Sequence, residues 1–405
     1  MSSKNSIASR NKIYAVLIYT FRTAALLCAN GSLMQTFLSV TGFSEQLIYI
    51  HVCLGQAANV LTILLCARFA DRGNVIRRAA LVQIPTGILF LFYLPLCFLN
   101  QVSATAYIWL LLITLFQSVS IALHTICEYK TPYLIYRHQE YGKVLSVCGI
   151  LSSIVSFGAG VLFRQLSLQY SYNKIMLIAF IISCFLLLLS GGLQYFQKNL
   201  LNPTETPAET PKGDKIPLSV MFRHEAFSRL FIGNLTRGIA SGTTTILATV
   251  ALNIGYDKTL TSTMVSVQSL ATLFACALFA LISKRIHPRH VILLGSFCYL
   301  IFPLLLCQNR PTFYLVMYFI LVFGRTLVDY AVPAALIYAV PVEIAGMYNA
   351  WRMLLHHGGI MLATVMATFI PLPVLLWISL GCQVISGIVF CTSKVMRKPV
   401  AHNAT

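Results

Sequence analysis

The sequence is poor in charge. Only 10% of its 405 residues are Asp, Glu, Lys or Arg, and the acidic ones number 11. A soluble domain carries about 25% charged residues. A chain of this size could not cover a water-facing surface with so few, which excludes soluble enzymes, nucleic-acid binders and disordered chains as whole-chain readings. The alternating segments of about 10 residues that build a membrane β-barrel are missing too. There is no P-loop, dinucleotide fingerprint or nucleophile elbow, and no room between apolar runs for a soluble catalytic domain, so no enzyme is expected. The 12 cysteines lie within or at the ends of apolar runs and show no CxxC or Cys/His ligand spacing. They read as small packing residues, and neither metal nor other cofactor is expected. Met1–Lys12 is polar and basic, but the apolar run after it is too long for a signal peptide and carries no cleavage site.

What the sequence does have is continuous hydrophobicity. Apolar residues make up 58% of it, and the mean hydropathy is +0.78. Twelve apolar spans can be drawn, at 13–38, 46–70, 79–99, 105–136, 143–165, 174–196, 226–253, 261–283, 289–307, 312–338, 346–370 and 372–392. Each is long enough to cross a bilayer as a helix. The expected fold is an all-α polytopic membrane protein. Asn199–Ser219, rich in Pro, Thr, Glu and Lys, interrupts the series after the sixth span and reads as a flexible linker. The plan is a six-helix bundle over 1–196, a linker over 197–220 and a second six-helix bundle over 221–405.

The net charge of +18 is a topology signal, and nucleic acid is not implied. With the N-terminus placed in the cytoplasm, only Arg164, Lys174, Lys258 and Arg310 fall outside. Arg22, Arg237, Arg325 and Arg352 are left within spans, and the remaining 21 Lys and Arg lie inside. That bias agrees with the positive-inside rule and puts both termini in the cytoplasm.

The two halves resemble each other. Glu128-Tyr129-Lys130-Thr131-Pro132 at the end of span four corresponds to Asp329-Tyr330-Ala331-Val332-Pro333 at the end of span ten. The same shift carries His124 onto Arg325. Arg22 and Arg237 each sit about ten residues into spans one and seven. Both halves thus hold a base in the first helix and, in the fourth, a basic or imidazole residue and an acid at i, i+4, on one helix face.

Twelve spans in two pseudo-symmetric halves, with a cytoplasmic central linker, resemble the major facilitator superfamily. Ala67-Arg68-Phe69-Ala70-Asp71-Arg72-Gly73-Asn74, followed by Arg77-Arg78, is similar to that family's G-x-L-A-D-R-x-G-R-R loop. Here Ala67 replaces the glycine, the final Gly-Arg-Arg is displaced, and the counterpart Ala280-Leu281-Ile282-Ser283-Lys284-Arg285 lacks the acid. The resemblance implies that spans one, four, seven and ten line a central cavity. It also implies that Asp71 and Arg72 act at a cytoplasmic gate, with Asp71 meeting the positive end of a neighbouring helix.

An ionised side chain at mid-bilayer costs about 2.5–3.5 kcal/mol, so the intramembrane charges must be paired or face a wet cavity. Arg22, His124, Glu128, Arg237, Arg325 and Asp329 all fall on the cavity helices. They are candidates for the substrate and coupling site, with structural Arg22–Glu128 and Arg237–Asp329 salt bridges as the alternative. Span eleven adds Arg352 and His356, again at i, i+4, beside Trp351. Arginine with an aromatic suits an anionic or sugar-like ligand. His356 and His357 point different ways, so a two-histidine metal site is not expected.

The expected protein is a secondary active transporter working by alternating access. It would move a small polar, anionic or sugar-like organic solute, coupled to protons, as a monomer in the plasma (inner) membrane, with the lipid bilayer and the solute as its partners. The alternatives are an exporter of amphipathic drugs and a non-transporting sensor with the same fold. The antiporter glycine pattern is missing from span five, where Leu162 and Phe163 follow Gly160, and this disfavours the exporter.

Overall fold

A computed structural model describes residues 2–29, 32–66, 74–99, 101–135, 138–199, 225–282, 286–307, 310–339 and 342–393. The Asp71–Arg72 loop and nearly all of the expected linker lie outside the described residues. The regular elements among the described residues are helices. Before the linker they are α1 (Ser2–Leu26), α2 (Ser32–Thr41), α3 (Glu45–Cys66), α4 (Val75–Leu91), α5 (Ala104–Ile135), α6 (His138–Gln169) and α7 (Tyr172–Tyr195). After it come α8 (Glu225–Thr245), α9 (Leu247–Asn253), α10 (Lys258–Ile282), α11 (Pro288–Phe297), α12 (Pro311–Ala339), α13 (Val342–Phe369) and α14 (Leu372–Thr392). A rise of about 1.5 Å per residue makes the longer ones sufficient to cross the roughly 30 Å hydrocarbon layer.

By length and composition, 8 helices among the described residues could cross a membrane. Three long helices fall outside that set: α1, α8 and α13. They carry Arg22, Arg237 and Arg352, and their polarity is concentrated where they meet other helices. All three also expose apolar side chains, such as Ile13, Ile232 and Phe369, and so share the lipid-facing surface with the other helices, which add Leu65, Phe98 and Leu281. An outward apolar belt with a polar interior is the arrangement a bilayer demands.

Two apolar runs that read as continuous spans are each broken into two helices. The run 13–38 divides between α1 and α2, and 226–253 divides at Ile246 between α8 and α9. Short polar stretches mark both breaks, Asn30-Gly31-Ser32 before α2 and Ser241-Gly242-Thr243-Thr244-Thr245 before Ile246, but each run is apolar enough overall to read as one span. Each second piece ends in the same cap. Gly42 (φ +100°) and Gly255 (φ +92°) adopt the left-handed conformation that favours glycine. The next amide closes a wide turn in both: Phe43 N to Leu38 O at 3.0 Å, and Tyr256 N to Ala251 O at 3.1 Å. The capped aromatic then packs on a tyrosine in the first turn of α5 or α12, Phe43 on Tyr107 and Tyr256 on Tyr314.

Other contacts recur in the same way. Ser190 on α7 donates to the Ile18 carbonyl of α1 at 3.3 Å, and Ser386 on α14 donates to the Gly233 carbonyl of α8 at 2.9 Å. Gln83 and Gln194 bond between α4 and α7, while Gln383 donates to Ser296 Oγ between α14 and α11 at 3.1 Å. Interhelical hydrogen bonds of this kind are worth about 0.6 kcal/mol on average in membranes. Their value here is in fixing which faces meet.

Glycines set the closest approaches. A Cβ on Gly238 of α8 would strike the His356 carbonyl of α13, and one on Gly359 would strike the Leu235 carbonyl, so these two backbones touch. Gly295 of α11 and Gly324 of α12 do the same. On α6, Gly160 lies against the Ser266 backbone of α10, and Gly149 against Tyr330 of α12 and Cys276 of α10. These last contacts join elements before the linker to elements after it.

Further bonds cross between the same two sets. Gln35 of α2 donates to the Thr245 carbonyl at 2.6 Å and accepts from Thr249 N at 3.3 Å and Thr249 Oγ1 at 2.8 Å. It thereby occupies the backbone opened by the α8/α9 break. Thr36 Oγ1 donates to Thr261 Oγ1 at 2.7 Å. Deeper in the bundle, His357 Nδ1 of α13 bonds Gln56 Oε1 of α3 at 2.8 Å.

Candidate functional site

The structure gathers the intramembrane charges into two clusters. In the first, Arg22 of α1 forms an ion pair with Glu128 of α5. His124, one turn before Glu128, places Nδ1 3.5 Å from Glu128 Oε2. The other ring nitrogen, Nε2, lies 3.0 Å from Gln194 Oε1 of α7. Gln83 of α4 donates to that same oxygen. The result is a polar chain from α4 through α7 and α5 to α1. Nε2 is thus turned to the amide oxygen of Gln194 and Nδ1 to the carboxylate. His124 is fully enclosed, whereas the Glu128 side chain is 33% exposed.

The second cluster is built on α8, α12 and α13. Arg237 pairs with Asp329, whose side chain is 34% exposed. Arg325 Nε approaches the other Asp329 oxygen at 3.6 Å and donates from a terminal nitrogen to Thr244 Oγ1 at 2.8 Å. Arg352 of α13 is 7% exposed. It lies close enough to Arg237 for their charges to repel, as does Arg325. His356 lies within electrostatic range of all three arginines. Arg352 Nε and His356 Nδ1 are buried with no hydrogen-bond partner among the described residues. Tyr299, buried, and Tyr318, which donates to Gln268 Oε1 at 2.9 Å, complete the polar wall beside Arg325.

Every intramembrane candidate read from the sequence therefore falls in one of these two clusters. Asp71 and Arg72 lie outside the described residues. His356 and His357 diverge, the first toward the arginines and the second to Gln56. No group of three or more His, Cys, Asp or Glu side chains is placed to hold a metal among the described residues. Sequence reasoning missed Gln83, Gln194, Tyr299, Thr244 and the Tyr19–Tyr330 hydroxyl pair that joins α1 to α12. The two glutamines had a signal, being amides inside strongly apolar spans. The tyrosines and threonine had none, since such residues are common in membrane helices.

A bundle of apolar helices enclosing paired charges on interior-facing helices is the build of a multi-pass membrane protein, and the family its sequence matches makes it a transporter and not an enzyme. The sequence profile of the Major Facilitator Superfamily matches residues 13–364, and the chain belongs to that superfamily. Among solved structures, the xylose transporter XylE from E. coli, in a partially occluded inward open conformation, superposes with a TM-score of 0.69. It is 12% identical, over 96% of this chain and 97% of that one. A bacterial homologue of the iron transporter ferroportin, in the outward-facing state, gives a TM-score of 0.65 at 14% identity, over 95% and 98% of the two chains. At these identities the likeness is one of fold. No curated protein sequence matches this one at a significant level.

Proposed function

We propose that this protein is a proton-coupled secondary active transporter for a small organic anion. It works by alternating access between two six-helix halves, 1–196 and 221–405, joined by a cytoplasmic linker. The reading includes twelve membrane crossings, with the α1/α2 and α8/α9 pairs each counting once, both termini in the cytoplasm of a plasma (inner) membrane, and a monomeric state. The recurring caps, seryl contacts and charge clusters on either side of the linker support the duplication. Asp71 and Arg72 are assigned to the cytoplasmic gate.

The observation that carries the substrate class is the surplus of arginine in the second cluster. Arg237 and Arg325 share the carboxylate of Asp329, and Arg352, within electrostatic range of Arg237, has no carboxylate partner among the described residues. Arginine does not shed its proton in proteins, so the surplus must be balanced by something that enters. A neutral sugar would leave it unbalanced.

The first cluster is assigned to coupling. Glu128 shares its surroundings with Arg22 and Tyr19 on α1, His124 on its own helix and Cys148 on α6. His124 Nδ1 and Glu128 Oε2 face each other with room for one proton between them, and Glu128 is the partner open to water. A proton arriving there weakens the hold on Arg22 and frees α1 to move against α5.

Uptake into proteoliposomes tests both assignments. Labelled acetate, lactate, succinate and citrate are offered with and without an inward proton gradient. At least one is expected to accumulate, and collapse of the gradient is expected to end accumulation. His124→Gln should abolish gradient-driven accumulation while leaving exchange of labelled for unlabelled solute intact. Accumulation that survives collapse of the gradient removes the coupling assignment. Failure of every acid, beside uptake of a neutral sugar, removes the substrate assignment.

A further inference from the structure

The charge balance of the second cluster bears on the charge of its ligand, an inference that rests on the anion-site reading. Two guanidinium groups, of Arg237 and Arg325, share one carboxylate there and a third, of Arg352, lies within electrostatic range of Arg237, so among the described residues two positive charges are left over. The first cluster contributes nothing to the balance, because Arg22 and Glu128 neutralise each other. Asp329 is fully engaged, one oxygen by Arg237 and the other by Arg325. Arg352 is thus left without a carboxylate, more than nine-tenths buried, and with Nε unpartnered among the described residues.

The packing makes this arrangement deliberate. Gly238 follows Arg237, and Gly359 lies two turns beyond Arg352. The touching backbones at Gly238, His356 and Gly359 bring α8 and α13 as close as helices can come. Arg237 and Arg352 are therefore held near each other against their repulsion. Like charges in a low-dielectric site repel strongly, and a buried guanidinium left without a partner is costly. Bidentate forks are suited to groups with two or more anionic oxygens. His356 offers one more buried, unpartnered nitrogen on the same side.

We infer that the second cluster binds a dianion, held between Arg352 and the Arg237–Arg325 pair, of the chemical class of a dicarboxylate or a phosphate monoester. A monoanion leaves one buried charge unbalanced, and the site discriminates against it. Arg352 sets the requirement for the second charge.

Matched pairs test this, read as the shift in melting temperature of the purified full chain at about pH 7.5, where succinate and a phosphate monoester both carry close to two charges. Succinate is compared with monomethyl succinate, and glycerol 3-phosphate with its monoanionic methyl diester, with lactate as a simple monoanion and glycerol as a neutral control. The expected result is that at least one dianion raises the melting temperature with an apparent Kd at least tenfold below that of its mate. In Arg352→Gln the preference should fall away or reverse toward the monoanion, while Arg352→Lys, which keeps the charge, should retain it. Preference for succinate identifies a dicarboxylate site, and preference for glycerol 3-phosphate a phosphate monoester site. Equal shifts by dianions and monoanions overturn the inference but leave the anion reading standing. No shift by any anion, with a shift by glycerol or another neutral solute, removes both. Should Arg352→Gln not fold, the wild-type pairs still decide.

Discussion

Arg237→Met is expected to destabilise the protein by less than the roughly 3–5 kcal/mol that follows removal of one partner of a fully buried ion pair, because Asp329 is 34% exposed and Arg325 stands beside it. The loss arises from Asp329, which keeps its charge and is left with only the longer approach of Arg325. The double variant Arg237→Met/Asp329→Leu removes both charges. It should recover only part of the loss, because apolar side chains replace the Arg237–Asp329 pair at little cost but Arg325 then loses its own carboxylate. Transport should be lost in both variants. Melting temperatures and denaturant midpoints of wild type, both single variants and the double variant form the cycle that checks this. Additive losses would show that Arg237 and Asp329 do not act as a pair. The same cycle on Arg22 and Glu128 should give a smaller coupling, since His124 stands ready to hold the carboxylate.

The second large effect separates two kinds of glycine. Gly238→Leu is expected to prevent folding. The added atoms would meet the His356 carbonyl and the Gly359 backbone, neither of which can move aside. Overpacking ordinarily costs about 1–3 kcal/mol, and a backbone obstacle puts this case above that range. Gly160→Leu meets an equally close obstacle at Ser266, but α6 precedes the expected linker and α10 follows it. On the two-half reading proposed above, the halves can part instead of unfolding. The variant should remain folded, with transport reduced at least tenfold and the α2/α9 end held open. Pulsed electron resonance between labels at Val40 and Ile254 should show a longer distance than in wild type. An unchanged distance with normal transport would mean the α6–α10 contact is not a closing surface.

Much of this architecture is legible in the sequence, for identifiable reasons. A charge inside a membrane must be answered, so Arg22, Arg237, Glu128 and Asp329 announce their partners by depth and helix assignment alone. The i, i+4 spacing places His124 with Glu128 and Arg325 with Asp329. Other features have no such signature. The breaks between α1 and α2 and at Ile246 fall at polar stretches too short to interrupt a span-length apolar run, and the backbone freed at Ile246 is satisfied by a side chain that comes from elsewhere in the fold. That side chain is Gln35: its polarity is visible in the sequence, but its destination at Thr245 and Thr249 lies 210 or more residues away. The glycine seams are likewise invisible, because a glycine in an apolar span looks the same whether it meets a neighbour or, like Gly158, has nothing within 4 Å.

The Gln35 contact also bears on how this protein responds to its solvent. While the α2/α9 end is shut, the amide of Gln35 occupies the Thr245 carbonyl and the Thr249 amide. On the alternating-access reading that end opens in the cycle; those backbone groups then need new partners, and in an apolar surrounding only entering water can supply them. Opening is thus a hydration step, and its equilibrium depends on water activity. Osmolytes too large to enter should slow the transport cycle in proportion to osmotic pressure. Gln35→Leu, which leaves the same groups unserved in the closed form as well, should weaken that dependence.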